Sequence, residues 1–453
     1  MSTFAPLFVP DEMRSAVSGA AWLAAMLDVE RAITRAGAAA GVVPGEHAAA
    51  IEAACVTGDL TWEALLEDGR SAGNPAEPLV RALAARVGED TSRWVHYGAT
   101  SQDVIDTAAM LVSRAATGLI DRELHATIDA CADLALLHRD TPMPGRTLLQ
   151  HAVPTTFGLR AASWLVALIE ARRGLEVVRS GLATQLGGAA GTLAVYGDRG
   201  IAISGLFARE LGLVEPVLPW HANRVQIAQL GSSLAVVAGA TAKPALDIVL
   251  LSQVEVGELR EGGDAGGSST MPHKRNPIKA VAVRACAGLV RGHTSVLIGS
   301  PEQELDRAAG SWHAEWDSLC GALSYTGGAA AALSHSIASL DVDVTRMREN
   351  LLRSGDALTA ERIASVLGAR LGRSHATELV RQASRRAAAS GGRIADELRR
   401  DAPELSVDDV AAALDPLTYL GASGELVDRA LAFHAAESER PDETEHLNRE
   451  ATI

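Results

Sequence analysis

Apolar residues recur at helical intervals, with few breakers, through three long segments: Val104 to Leu137, Phe157 to Leu186 and Val225 to Leu259. That period lays a continuous apolar stripe along one side of each helix. Strand-like alternation is scarce, so the chain reads as all-α. Segments of roughly thirty residues are much longer than an ordinary globular helix and suit a bundle whose members bury one another along their whole length. Pro244 falls inside the third segment and predicts a kink or a join there. The pattern divides the chain into an N-terminal helical domain (1–105), a central long-helix bundle (106–345) and a smaller C-terminal helical domain (346–436). The last stretch, 437–453, has six acids against two arginines and reads as a mobile tail.

Composition adds exclusions. With 453 residues, 47% of them apolar, the chain can bury a large core. The first residues carry neither a basic nor an apolar leader pattern, and no long run is purely apolar, so a cytoplasmic protein with no membrane partner is expected. Four cysteines, Cys55, Cys131, Cys286 and Cys320, stand far apart without metal-ligand spacing and read as reduced, buried residues. A net charge of −15 argues against a nucleic-acid partner, though not against an anionic substrate, which responds to the local field of a cleft. Of 41 basic residues only Lys243, Lys274 and Lys279 are lysines. Where arginine is the habitual cation, a lysine suggests a need for a compact ammonium.

Lys274 lies inside the segment GGDAGGSSTMPHKRNP, Gly262 to Pro277, and Lys279 follows it directly. Four glycines and two serines describe a flexible loop able to close over a ligand and exclude water. Neither a Gly-Lys-Ser/Thr triplet nor a leading strand is present, which sets a phosphate loop aside. The run GSSTMPHKRNP resembles the signature loop of the fumarase/aspartase superfamily. Val95 to Thr107, VHYGATSQDVIDT, resembles its first conserved region, and Gly145 to Gly158, GRTLLQHAVPTTFG, its second.

The resemblance implies an all-α, three-domain fold with a long central bundle, a homotetramer with a twenty-helix core, and active sites shared between subunits. It implies no metal or organic cofactor. It places Ser268 as catalytic base and Lys274 beside the aci-carboxylate formed when the α proton leaves, with Asn276 hydrogen-bonding the same group. Thr100, Ser101, Gln102 and Thr147 match positions that hold substrate carboxylates. Thr100 to Asp103 also reads as a helix N-cap.

Two departures narrow the choice. Where the second region usually reads GRTH and a glutamate follows the loop lysine, this chain has Leu148 and Val281. The histidine-glutamate relay is missing as a unit. That joint loss resembles the bacterial 3-carboxy-cis,cis-muconate cycloisomerases, as do PWHANR (Pro219 to Arg224), LGGAAGTLA (Leu186 to Ala194) and WHAEW (Trp312 to Trp316). The implied substrate is a small anionic di- or tricarboxylate, with Arg224 and Arg307 as its cations and His151 as the replacement acid/base; His96, His273 and His313 are further candidates. Val225, Gln226 and Leu305 replace charged or histidine positions of that family and suggest a ligand with fewer carboxylates. The alternatives are a nitrosuccinate lyase, an adenylosuccinate-type lyase, and a non-catalytic, crystallin-like protein.

Overall fold

A computed structural model describes residues 3–263, 271, 274–353, 358–401 and 413–439. Its helices include α1 (Gly19–Ala39), α2 (Ser101–Leu137), α3 (Phe157–Ser180), α4 (Val225–Leu251), α5 (Ile278–Gly299), α6 (Ser311–Ala338), α7 (Ala360–Leu371), α8 (Arg373–Ser390) and α9 (Ser423–Ser438). The three long segments are helical as their period predicts, but two end early. Gly181 caps α3, and α4 stops at Leu251 before a turn into a short strand. Pro244 lies within α4, which continues through it.

Helices α2 to α6 pack side by side around one core that also takes in α1 and α9. Small residues let them approach closely: a Cβ on Gly231 of α4 would stand 2.8 Å from Leu297 Cβ of α5, and one on Gly321 of α6 would enter the His293 ring. A second, smaller core joins α7, α8 and Ile394–Asp401, while α9 returns to pack on α3 and α2. The expected mobile tail begins on α9, where Glu437 pairs with Arg172 and Arg173; the tail from 440 onward lies outside the described residues.

Strand structure that the period did not announce occurs as two small antiparallel pairs. The hairpin β1 (Pro142–Thr147) and β2 (Gln150–Thr156) follows α2, and β3 (Leu259–Glu261) pairs with β4 (Leu340–Val342). By length and composition α4 and α5 are apolar enough to cross a membrane. Here they pack on each other and on α6, while Val236 and Leu246 of α4 and Leu289, Val296 and Ile298 of α5 stay exposed on a single chain.

The bundle has two ends. Arg224, just ahead of α4, bonds Asp106 in the first turns of α2 and Glu315 in the first turns of α6, so the N-termini of α2, α4 and α6 lie together. At the opposite end, Trp164 near the start of α3 donates to Asp247 near the end of α4, and Lys279 at the start of α5 reaches Ser339 beyond α6. The 37 residues of α2 set these ends about 55 Å apart.

Candidate active site

At the first end, the segment from His96 to Asp103 enters α2. Its backbone turns through positive φ at His96 and Gly98, and a Cβ on Gly98 would collide with the Tyr196 ring, whose hydroxyl donates to the Tyr97 carbonyl. His96 Nδ1 lies 2.6 Å from the fully buried Glu30 carboxylate. Burial alone would push that imidazole down in pKa, but the Glu30 charge, its hydrogen bond and the Asp103 charge together more than offset it and the net shift is upward.

Thr100 and Asp103 form a reciprocal capping box at the head of α2. Asp103 does more than cap. Its two oxygens accept from the Thr100, Gly187 and Gly188 backbone N–H groups, and Oδ1 lies 2.7 Å from His221 Nε2. One buried carboxylate thus gathers the segments VHYGATSQDVIDT, LGGAAGTLA and PWHANR. Arg307 completes the cluster, donating to Thr100 Oγ1 and to the Gly188 and Ala189 carbonyls. Among the described residues Arg307 has no ion-pair partner, and Thr100, Ser101 and Arg307 are partly exposed.

Two residues expected at the substrate are placed elsewhere. Gln102 is fully buried and its amide donates to the His221 carbonyl, so it braces the turn instead of lining its open side. Arg224 is 1% exposed; all but one of its N–H donors go to the Asp106 and Glu315 carboxylates and its guanidinium lies over the Trp220 ring, so buried there it presents no open face to a third anion. Trp312 also donates to Asp106, and Gln303 to Glu315, which ties the loop carrying Arg307 to the same network.

At the other end, Thr147 and the exposed Leu148 and Leu149 form the tip of the β1–β2 hairpin. Both leucines have positive φ, 50° and 64°, a costly conformation for a branched side chain. His151 stands opposite Arg146 across the hairpin. Burial, followed by the Arg146 charge, holds its imidazole below the ordinary 6.5 and so neutral near pH 7. Arg146 itself is in a bidentate pair with the buried Glu258, which also accepts from Asn350. Lys274 is exposed and Asn276 partly so, just ahead of α5 at this same end, with Lys274 outside any ion pair among the described residues. Ser268 and His273 lie outside the described residues. Val281, in the first turn of α5, is exposed.

In one chain the residues therefore form two groups, Thr100, Ser101 and Arg307 at one end and Thr147, His151, Lys274 and Asn276 at the other. His96 faces Glu30, and the exposed His313 packs against Trp312 and Trp316. Val225 and Gln226 line a groove with Val178 of α3 and Pro301, whereas Leu305 is exposed two residues before Arg307. Asp103, Asp106 and Glu315 were not singled out as organising groups in the sequence; the carboxylates inside TSQDVID and WHAEW were the available signal. Among the described residues no group of three His, Cys, Asp or Glu side chains is placed to ligate a metal.

The family profile described as lyase matches residues 10–292, most of the chain. The chain belongs to the fumarase/aspartase superfamily of lyases. A second profile, adenylosuccinate lyase C-terminus, matches residues 356–430. This lyase is 43% identical over 436 residues to a 3-carboxy-cis,cis-muconate cycloisomerase of Bradyrhizobium diazoefficiens, covering 94% of this chain and 97% of that protein. It is also 43% identical over 443 residues to a nitrosuccinate lyase of Streptomyces davaonensis, covering 94% and 93%. The crystal structure of the Pseudomonas putida 3-carboxy-cis,cis-muconate lactonizing enzyme superposes with a TM-score of 0.91 at 39% identity, over 96% of this lyase and 99% of that chain.

Proposed function

We propose that this lyase is a 3-carboxy-cis,cis-muconate cycloisomerase that forms a carboxymuconolactone without a cofactor. The observation that carries the reading is the composition of the hairpin end. Lys274 and Asn276 are retained there, while Leu148 and Val281 replace the acid/base pair that a poor leaving group would need. A carboxylate oxygen of the substrate adds to the conjugated double bond, and the displaced electron pair moves into a second carboxylate. Lys274 and Asn276 hold the resulting aci-carboxylate, and the Ser268 hydroxyl delivers a proton to the α carbon. In reverse the leaving group is a carboxylate, stable without protonation, so the lost relay costs little. In the reverse direction, neutral His151 suits a base that accepts the Ser268 proton, so that the alkoxide can take the α proton.

The chain works as a homotetramer with sites shared between subunits. Two features support this: the candidate residues lie at opposite ends of α2, and α4 and α5 carry apolar side chains that a single chain leaves exposed. Thr100, Ser101, Thr147 and Arg307 take the remaining carboxylates.

A second reading, β-elimination of nitrite from nitrosuccinate, is favoured by one observation. Arg224 and Arg146 are committed to buried carboxylates, which leaves fewer cations for a tricarboxylate. Side-by-side assays of the purified enzyme separate the two. Loss of muconate absorbance with lactone formation is expected; nitrite and fumarate produced from nitrosuccinate, with no lactonisation, would overturn the proposal.

A further inference from the structure

Beside the first turns of α2 and α6, with Arg307 outside its lining, lies a cavity of about 360 Å³. Three of the seven tryptophans in the chain wall it: Trp22 of α1, Trp62 of the short helix Trp62–Asp68, and Trp316 of α6. Ile105 supplies an aliphatic wall, and Arg14 and Asp317 also line it. Trp22 and Trp62 are tilted to each other with ring centroids 6.4 Å apart, and Trp62 is held against the start of α1, where a Cβ on Gly19 would fall inside its ring.

The polar groups of this cavity are unevenly satisfied. Trp22 donates to Cys320 Sγ. Trp316 Nε1 and Arg14 Nε are both buried and both lack a hydrogen-bond partner among the described residues. Buried N–H donors without acceptors are costly and rare in folded proteins. Two of them in one aromatic-walled space call for a guest with a flat apolar body and an oxygen acceptor. Arg14 favours a negative charge on that acceptor, although Asp11 already shares its guanidinium. Asp317, exposed in the same lining, repels further anionic groups.

We propose that this cavity is a binding site for a small monoanionic aromatic carboxylate, separate from the site of the di- or tricarboxylate substrate. The ring lies against the indoles, and the carboxylate accepts from Trp316 Nε1 and Arg14 Nε. Aromaticity and single charge distinguish this ligand from the substrate, which is acyclic and carries more charge.

Titration of the assembled wild-type enzyme with benzoate, followed by tryptophan fluorescence, tests the assignment. Saturable quenching is expected, with phthalate and cyclohexanecarboxylate binding at least about tenfold more weakly through added charge and lost stacking. Arg14→Gln and Trp316→Phe should each weaken benzoate by about tenfold by removing one donor, while Arg14→Gln keeps wild-type turnover. Circular dichroism checks the Trp316 variant; if it does not fold, Arg14→Gln decides alone. Absence of saturation, phthalate binding as tightly as benzoate, or benzoate affinity unchanged in the folded variants would each overturn the proposal.

Discussion

At the scale of single residues, the deciding question is what each cation already holds. Lys274 has an exposed ammonium outside any ion pair among the described residues, and the proposed chemistry needs a compact charge there. Lys274→Arg should therefore lower kcat by about 10² or more although the charge is kept, because a planar guanidinium cannot occupy the same point beside an aci-carboxylate. Turnover within a few-fold of wild type would assign Lys274 to loop support. Arg224 is the opposite case. Replacing it with methionine strands Asp106 and Glu315 in the core, where burial already pushes the Glu315 carboxyl upward in pKa. Arg224→Met should lose about 3–5 kcal/mol of stability in urea denaturation. Undiminished stability with a large rise in KM would return Arg224 to the substrate. The thiols of Cys55, Cys131 and Cys286, pushed up to about 12, and that of Cys320, to about 11, are chemically quiet, as their burial demands.

At the scale of elements, the segment feeding α2 is held by one titratable contact as well as by packing. His96 has a raised pKa because Glu30 faces it, so the folded state holds its proton more tightly than the unfolded chain does. That contribution is complete below the ordinary histidine value of 6.5 and is lost as pH rises through the higher folded value. Thermal or urea stability should therefore decline on the alkaline side of about pH 6.5. In Glu30→Gln that slope should flatten, at a loss of about 2 kcal/mol near pH 6. A slope unchanged in the variant would show that other groups set it.

At the scale of the whole molecule, the rigid length of α2 keeps the two candidate groups apart whatever the side chains do. If subunits share sites, an Arg307→Ala variant and a Ser268→Ala variant are defective in different parts of each site. Mixing them under conditions that allow subunit exchange should restore activity to at least about tenfold above either alone, since some assembled sites then draw both intact parts from different chains. Each variant should elute as the same oligomer as wild type. No recovery despite demonstrated exchange would mean that each site is built within one chain.

Helical period, the run GSSTMPHKRNP and the Thr100–Asp103 cap are local properties, so the all-α bundle, the superfamily and the head of α2 were legible in the order of residues alone. The β1–β2 hairpin was not, because its short strands lack alternation and its turn uses two leucines in place of the usual turn residues. Nor could the sequence show that Arg224 is occupied, that Gln102 faces inward, or that Asp103 gathers three distant segments. Those facts depend on partners 84 to 119 positions away, such as Asp103 with Gly187 and Gln102 with His221. Residue spacing specifies which side of a helix a group occupies; only the packing of helices against one another decides whether the space in front of it holds a carboxylate, a carbonyl or solvent.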